Sequence, residues 1–121
     1  MPGTTNHIKD QLAQGDEIQI TVLGRKSGQK SSRPVWFVLE GNTLYLLPVQ
    51  GSDTGWYKNV LHDHRIWISA GKGTEKEVAG SAVTDPKEVT RIADKFRKKH
   101  GEADVKKYYS KFDAAIAAKL D

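Results

Sequence analysis

The chain has 121 residues, 37% of them hydrophobic and 28% charged, with a formal net charge of +4. That length fits one domain, and the absence of cysteine excludes disulfides, thiolate metal sites and cysteine nucleophiles. No apolar run approaches the roughly 20 residues that a spanning helix needs, and Met1 to Gln14 lacks the apolar stretch of a signal peptide, so the cytoplasm is the expected compartment. The positive surplus favours an anionic partner: a phosphorylated cofactor, nucleic acid or an acidic surface.

Thr4 to Gln14 is polar, with Ile8 and Leu12 four residues apart, and reads as one or two helical turns or a lid closed by Gly15-Asp16. Ile18, Ile20 and Val22 then alternate with Glu17, Gln19 and Thr21, the period of a half-buried strand. Gly24-Arg25-Lys26-Ser27-Gly28 follows, extended by Gln29-Lys30-Ser31-Ser32-Arg33. A plain hairpin turn needs only glycine and a small polar residue. The excess of cations and hydroxyls serves either a solvated tip with basic gatekeepers or the capture of an anion, most simply a phosphate. In the second case Arg25 supplies a bidentate fork and Lys26 a mobile point charge. Ser27 and the backbone near Gly28 add neutral donors, and Arg33 reaches in from the next strand. Walker A spacing is absent, and this glycine loop precedes a strand where a dinucleotide fingerprint would precede a helix.

Pro34 to Leu39 is nearly continuous apolar and predicts a strand covered on both faces, with Pro34 at its entry or on an edge. Glu40-Gly41-Asn42-Thr43 predicts a tight turn and Leu44 to Val49 the returning strand. After the loop from Gln50 to Gly55, the spacing of Trp56, Tyr57, Val60 and Leu61 predicts a short helix over 55–63. Ile66, Ile68 and Ala70 mark a fourth strand, Gly71-Lys72-Gly73 a turn, and Thr74 to Thr84 a fifth strand with a bulge or bend at Gly80. Asp85, Pro86 and Glu88 stand at N-cap, N1 and N3 of a helix whose apolar stripe is Val89, Ile92, Ala93 and Phe96, and which Gly101 stops. Cations in its last turn, Arg97-Lys98-Lys99-His100, complement the helix dipole. Val105, Tyr108, Tyr109 and Phe112 repeat the helical spacing. Asp113 to Leu120 suits a helix by its alanines and a closing strand by its alternation. Short strands joined by hairpins, with helices inserted late, give a mainly β fold: a small antiparallel barrel with peripheral helices, in one domain over 1–121, with 1–16 as a polar arm.

Trp56-Tyr57-Lys58-Asn59 offers an exposed aromatic pair and an amide that would pack on a flat ring, unless Trp56 is simply core. Trp36 and Trp67 are expected inside the barrel. His62-Asp63-His64 lacks a third ligand at metal-site spacing, so no metal is expected. Ser27 has no adjacent base and no nucleophile elbow, Glu75 and Glu77 face solvent, and no catalytic acid or base is conspicuous.

The order of these pieces resembles the deazaflavin-dependent nitroreductase family. It runs strand, Gly24-Arg25-Lys26-Ser27-Gly28, Arg33-Pro34, strand, glycine turn, strand, and Trp56-Tyr57-x-Asn59-Val60 before another strand. The likeness is clear from about Ile18 to Ala70. It implies a split β-barrel of the pyridoxamine-phosphate-oxidase-like, FMN-binding type, with Asp113 to Leu120 as a strand. It implies coenzyme F420 as cofactor, its phosphate held by Arg25, Lys26 and Ser27 with Gly28 as backbone, and less surely by Arg33. Trp56 and Tyr57 would line the cofactor groove, with Asn59 beside it. The implied reaction is hydride transfer from reduced deazaflavin to an electron-poor quinone, nitroaromatic or activated alkene, in a homodimer that completes the site. Two stretches depart from the pattern: Met1 to Glu17 carries no aromatic, and Thr54-Gly55-Trp56 stands where Pro-x-Trp is common. The alternatives are an FMN-binding oxidoreductase on the same fold and a non-catalytic cofactor-binding module. A nucleic-acid binder, resting on charge alone and lacking a recognition motif, is not expected.

Overall fold

The computed structural model describes Gly15, residues 17–70 and residues 75–120. The polar arm, the turn at Gly71-Lys72-Gly73 and Thr74 lie outside the described residues. Alternating sequence becomes strand where expected: β1 (Glu17–Leu23) buries Ile18, Ile20 and Val22 and turns Glu17 and Gln19 outward. The other strands are β2 (Lys30–Glu40), β3 (Thr43–Leu46), β4 (Arg65–Ser69), β5 (Glu75–Val83) and β6 (Ala115–Lys119). They close into an antiparallel barrel in the order β1-β2-β3-β6-β5-β4.

Two long strands make the corners. β2 pairs with β1 from Lys30 to Trp36 and with β3 from Phe37 to Glu40. β5 pairs with β4 from Glu75 to Ala79 and with β6 from Gly80 to Val83. Pro34 sits inside β2, where β1 is the strand's one described neighbour, so it occupies an edge and removes no ladder bond from the middle of a sheet. The strand thus begins four residues before Pro34 and carries Arg33 on it. At the β2–β3 turn Gly41 takes φ 60° while no described non-glycine residue has a positive φ, the pattern of a type II′ hairpin. β3 ends at Leu46, earlier than the apolar run that continues to Val49.

Gly80 forms no bulge. The β4 register ends at Ala79 and the β6 register begins at Gly80 with no added residue, so of the bulge or bend expected here the strand makes the corner at which it changes partners. A Cβ there would lie 2.6 Å from Ile66 Cδ1 and 3.1 Å from both Ile116 Cγ2 and Val60 Cγ1. Glycine is needed at this corner because a side chain there would press on Ile66, Ile116 and Val60 in the packed interior.

Three helices follow the expected spacing: α1 (Gly55–His62), α2 (Pro86–His100) and α3 (Glu102–Tyr108). Asp85 caps α2 by accepting from the Glu88 amide (3.1 Å), Pro86 opens it, and Gly101 (φ 97°) ends it. Phe112 lies beyond α3. The tail is a strand: β6 pairs with both β3 and β5 and buries Ala115, Ile116 and Ala118. The helix alternative for that segment fails because alanine's high helix propensity, a small term, is overridden by two open ladders that β6 completes.

The core has two layers. Inside the barrel Ile18, Ile20, Val22, Phe37, Leu44, Leu46, Ile66, Ile68 and Ile116 pack with Trp56, Tyr57 and Val60 of α1. Outside it Val38, Leu47 and Ala115 meet Ile92, Ala93 and Phe96 of α2, Val105 of α3 and Tyr109 just after it. Trp36 and Trp67 are not in the barrel. Trp36 is paired with Glu17 on an outward row and stacks on His100, ring centres 4.5 Å apart and 7° from parallel. Trp67 stands between buried Ile66 and Ile68, so the same alternation that buries them turns it out, under Lys30 Nζ at 4.2 Å. Among the described residues no helix is long and apolar enough to cross a membrane.

Candidate functional site

The hairpin between β1 and β2 is closed on itself. The Gly24 amide donates to Gln29 O (2.8 Å) and the Gly28 amide to Gly24 O (2.9 Å), while Ser27 Oγ accepts from the Gln29 amide (3.1 Å). Gly28 takes φ 70°, a conformation that favours glycine. Its N–H is therefore engaged within the turn, and its contribution is the turn itself. Ser27 accepts within the loop and keeps its hydroxyl proton for donation outward.

Asn59, thirty-four residues away on α1, fixes the loop in space. Its Oδ1 accepts from the Arg25 amide (3.1 Å) and from Arg25 Nη1 (2.8 Å), and the same Nη1 lies 3.4 Å from Gly55 O. All these acceptors are neutral. Among the described residues no carboxylate forms an ion pair with Arg25, Lys26, Lys30 or Arg33, so the positive charge of the hairpin is unbalanced locally. Lys26 and Arg33 are exposed. Arg33 is opposite Ile20 in register, and directly opposed residues share a face, so Arg33 stands on the concave side of the ribbon.

That ribbon has a free margin among the described residues, since β3 leaves β2 at Phe37. Along it runs a groove of about 380 Å³. Val35 and Trp36 of β2, Trp56 of α1, and Tyr108 and Tyr109 line it, with Glu17 at one end. Trp56 and Asn59 are three residues apart on α1 and so lie on one helix face, one reaching the groove and the other the hairpin. Trp56 is 3% exposed and Tyr109 6%. Neither the Trp56 indole N–H nor the Tyr109 hydroxyl has a hydrogen-bond partner among the described residues. Burial pushes the Tyr109 phenol up to about 12.

Residues 9–119 match the family model described as "Uncharacterized protein conserved in bacteria (DUF2255)". The chain is a DUF2255 protein. No curated protein matches it in sequence. Among solved structures, an F420-H2-dependent reductase (FDR-A) is similar to it at 16% identity and TM-score 0.65, over 86% of this chain and 94% of that one. A candidate pyridoxamine 5′-phosphate oxidase from Listeria innocua is 18% identical at TM-score 0.66, over 94% and 90% of the two chains. The heme storage protein HutZ from Vibrio cholerae is 12% identical at TM-score 0.68, over 96% and 89%. These likenesses show that the DUF2255 protein has the split-barrel fold of these neighbours, and the resemblance to the deazaflavin group holds at the level of fold.

Of the residues singled out from sequence, this DUF2255 protein brings Arg25 and Asn59 together at α1, next to Trp56, with Lys26 and Ser27 in the same turn, while Arg33 stands on β2 opposite Ile20, away from the turn. Tyr57 differs. It is 3% exposed and turned into the barrel core, its phenol pushed up by burial and then by the Asp113 charge. The aromatic pair is not exposed: a helix this short, packed across a barrel mouth, buries both rings.

The His62-Asp63-His64 stretch ends α1. Asp63 accepts from Arg65 Nη2 at 2.8 Å, and the Arg65 hydrogen bonds hold its carboxyl down to about 2. The His64 ring donates to Gly80 O at 3.1 Å. No cluster of three potential metal ligands occurs among the described residues.

One contributor escaped sequence reading. Asp113 accepts from the Ser52 amide (2.8 Å) and hydroxyl (2.6 Å), and these bonds hold its carboxyl below the usual range. A Cβ on Gly51 (φ 55°) would collide with Asp113 Oδ1. This clasp fixes the turn Gly51–Asp53 and, through Thr54, the start of α1. Gly51-Ser52 was the sole local signal, and its partner lies sixty-one residues on.

Proposed function

We propose that this protein is an F420-dependent oxidoreductase, with the cofactor phosphate on the β1–β2 hairpin and its ring in the adjoining groove. The observation that carries the reading is Arg25: it is anchored by neutral oxygens alone, on the helix whose Trp56 lines a groove of aromatic side chains. That arrangement fits a flat ring bearing acceptor atoms joined to a phosphate. Arg25 and Lys26 bind the anion, Ser27 donates its hydroxyl to it, and Arg33 supplies charge from the concave face. Asn59 orients Arg25. Trp56 and Trp36 pack the ring and exclude water, and the Trp56 N–H and Tyr109 hydroxyl orient it through its acceptors. The cofactor supplies the hydride chemistry, and electron-poor quinones, nitroaromatics or activated alkenes are the acceptor class.

FMN binding on the same hairpin is the second reading, supported by the same phosphate geometry and the same fold. Calorimetric titration with F420 and with FMN separates the two. The expected result is saturable F420 binding with FMN weaker by about tenfold or more. Tight FMN binding with none for F420 would overturn the proposal. Binding of F420 without turnover across a quinone panel would leave a binding module.

A further inference from the structure

Trp36 stands at the corner of β2, the last residue of that strand with a partner on β1. It is half-buried and lines the groove. The last turn of α2 reaches the same corner. His100 Nε2 lies 3.1 Å from the Phe37 carbonyl oxygen, and Lys99 Nζ lies 3.0 Å from it. A carbonyl oxygen only accepts, so the imidazole donates from Nε2 and is anchored by that bond. Anchored there, it lies flat on the Trp36 indole, ring centres 4.5 Å apart and 7° from parallel. Phe96, fully buried in the layer between α2 and the barrel, packs against the imidazole with ring centres 5.7 Å apart. A row of rings therefore leads from the core through His100 to Trp36 at the groove. Tyr108 completes the setting of the indole, at 5.6 Å and 89° to it.

We infer that His100 is a positioning residue for the groove: it clamps one face of the Trp36 indole and so presents the other face to a bound ring. An indole has two faces, and the imidazole occupies one of them. A platform already held in place spares the ordering of a side chain when the ligand arrives, and preorganisation of this kind raises affinity. The bond to Phe37 O ties the end of α2 to β2, and Lys99 supplies a second tie to the same oxygen. The flat stack is the part of His100 that acts on Trp36. His100 does not itself line the groove, so it acts on a ligand through Trp36. The inference rests on the reading that the groove takes a flat ring, and it adds to that reading a residue on α2, far in sequence from the hairpin and from α1.

The test uses the whole chain labelled with 5-fluorotryptophan, with the ¹⁹F resonance of Trp36 assigned by Trp36→Phe and read without any ligand. Lumichrome (a flat tricyclic ring without phosphate), F420 and inorganic phosphate are the binding probes, followed by calorimetry. In His100→Ala the Trp36 resonance shifts or broadens while those of Trp56 and Trp67 hold. Lumichrome and F420 weaken by about three- to tenfold, the range set by one lost aromatic pair, and inorganic phosphate binds as before. His100→Phe, which keeps a flat ring and loses the donor, restores both the resonance and the affinity. His100→Gln, which keeps a donor and loses the ring, restores neither. The opposite ranking of these two variants would show that His100 only ties the end of α2 to β2, and would overturn the inference. An unmoved Trp36 resonance in His100→Ala, an equal loss of phosphate binding, or no saturable lumichrome binding to the wild type would overturn it as well. Lumichrome binding that depends on His100, in a protein that binds no F420, would support this inference and count against the cofactor reading alone.

Discussion

Two groups of cations in this chain are treated in opposite ways by the fold. On α2, Arg91 lies 3.0 Å from Glu40 and 3.0 Å from Glu88 and also donates to Tyr45 Oη. Lys95 shares Glu40, and Arg97 pairs with Asp94. These charges tie the helix to the β2–β3 hairpin and to itself. On the β1–β2 hairpin, Arg25 is anchored only by the amide oxygen of Asn59 and the carbonyl of Gly55. Lys26 beside it and Arg33 on β2 stand exposed without an ion pair among the described residues. A cluster of like charges repels itself, and the fold answers the α2 cations with carboxylates while leaving the hairpin cations unanswered. The difference separates charge that holds the protein together from charge that is available to a ligand.

The comparison breaks most sharply if the hairpin charge is removed. Arg25→Ala with Lys26→Ala should weaken the cofactor by about a hundredfold or more, since each charge-assisted bond to a phosphate is worth roughly 1.5–3 kcal/mol. The melting temperature should hardly move, because neither side chain is buried. Unchanged affinity in calorimetry would mean that the phosphate is held elsewhere.

Giving the hairpin what α2 already has sharpens the same point. Asn59→Asp keeps the acceptor geometry around Arg25 and adds the missing carboxylate. Cofactor affinity should fall by about tenfold as the new carboxylate competes for Arg25. Thermal stability should hold or rise slightly. Asn59→Ala should instead lower both, because the loop loses the acceptor for its Arg25 amide. If Asp and Ala at this position act alike on affinity, Asn59 positions the loop and the charge of Arg25 is secondary.

Which parts of this could be read from sequence follows from how local each signal is. Alternation in β1 and the Asp85-Pro86-x-Glu88 start of α2 are contained in a few residues, and both are realised as read. The hairpin's excess of donors was also visible locally, but its anchoring by Asn59 was not: the sequence placed Asn59 only beside the cofactor, and its contact with Arg25 spans thirty-four residues. Trp36 and Trp67 stand outside the barrel because the period of two, and not aromatic character, sets the face of each. Trp67 lies between two inward isoleucines, and Trp36 shares an outward row with Glu17. Gly80 reads from sequence as a bulge or bend, and the choice cannot be made there because a sequence does not show which neighbours crowd a Cβ; Ile66, Val60 and Ile116 come from three different elements. The tail could not be decided locally because its state depends on two strands, β3 and β5, that leave a slot for it. The groove was least legible, since Trp36, Trp56 and Tyr109 are brought together by the barrel as a whole.

The smallest expected effect lies on the α2 side, and it has a pH signature. Hydrogen bonds from Lys95, and then Arg91, hold the Glu40 carboxyl below its ordinary value of 4.5. A carboxyl lowered in the folded state adds stability above its unfolded value, and that stability is lost as pH falls through the folded one. Glu40→Gln should therefore lower the melting temperature by at most a few degrees at neutral pH, as befits an exposed ion pair. The gap to wild type should narrow as pH drops below 4.5 and close in strong acid. Cofactor affinity should not change, because Glu40 ends β2 at the opposite end from the basic loop. A gap that persists at low pH would show that Glu40 acts through packing, and a change in cofactor affinity would show that the two cation groups are coupled through β2.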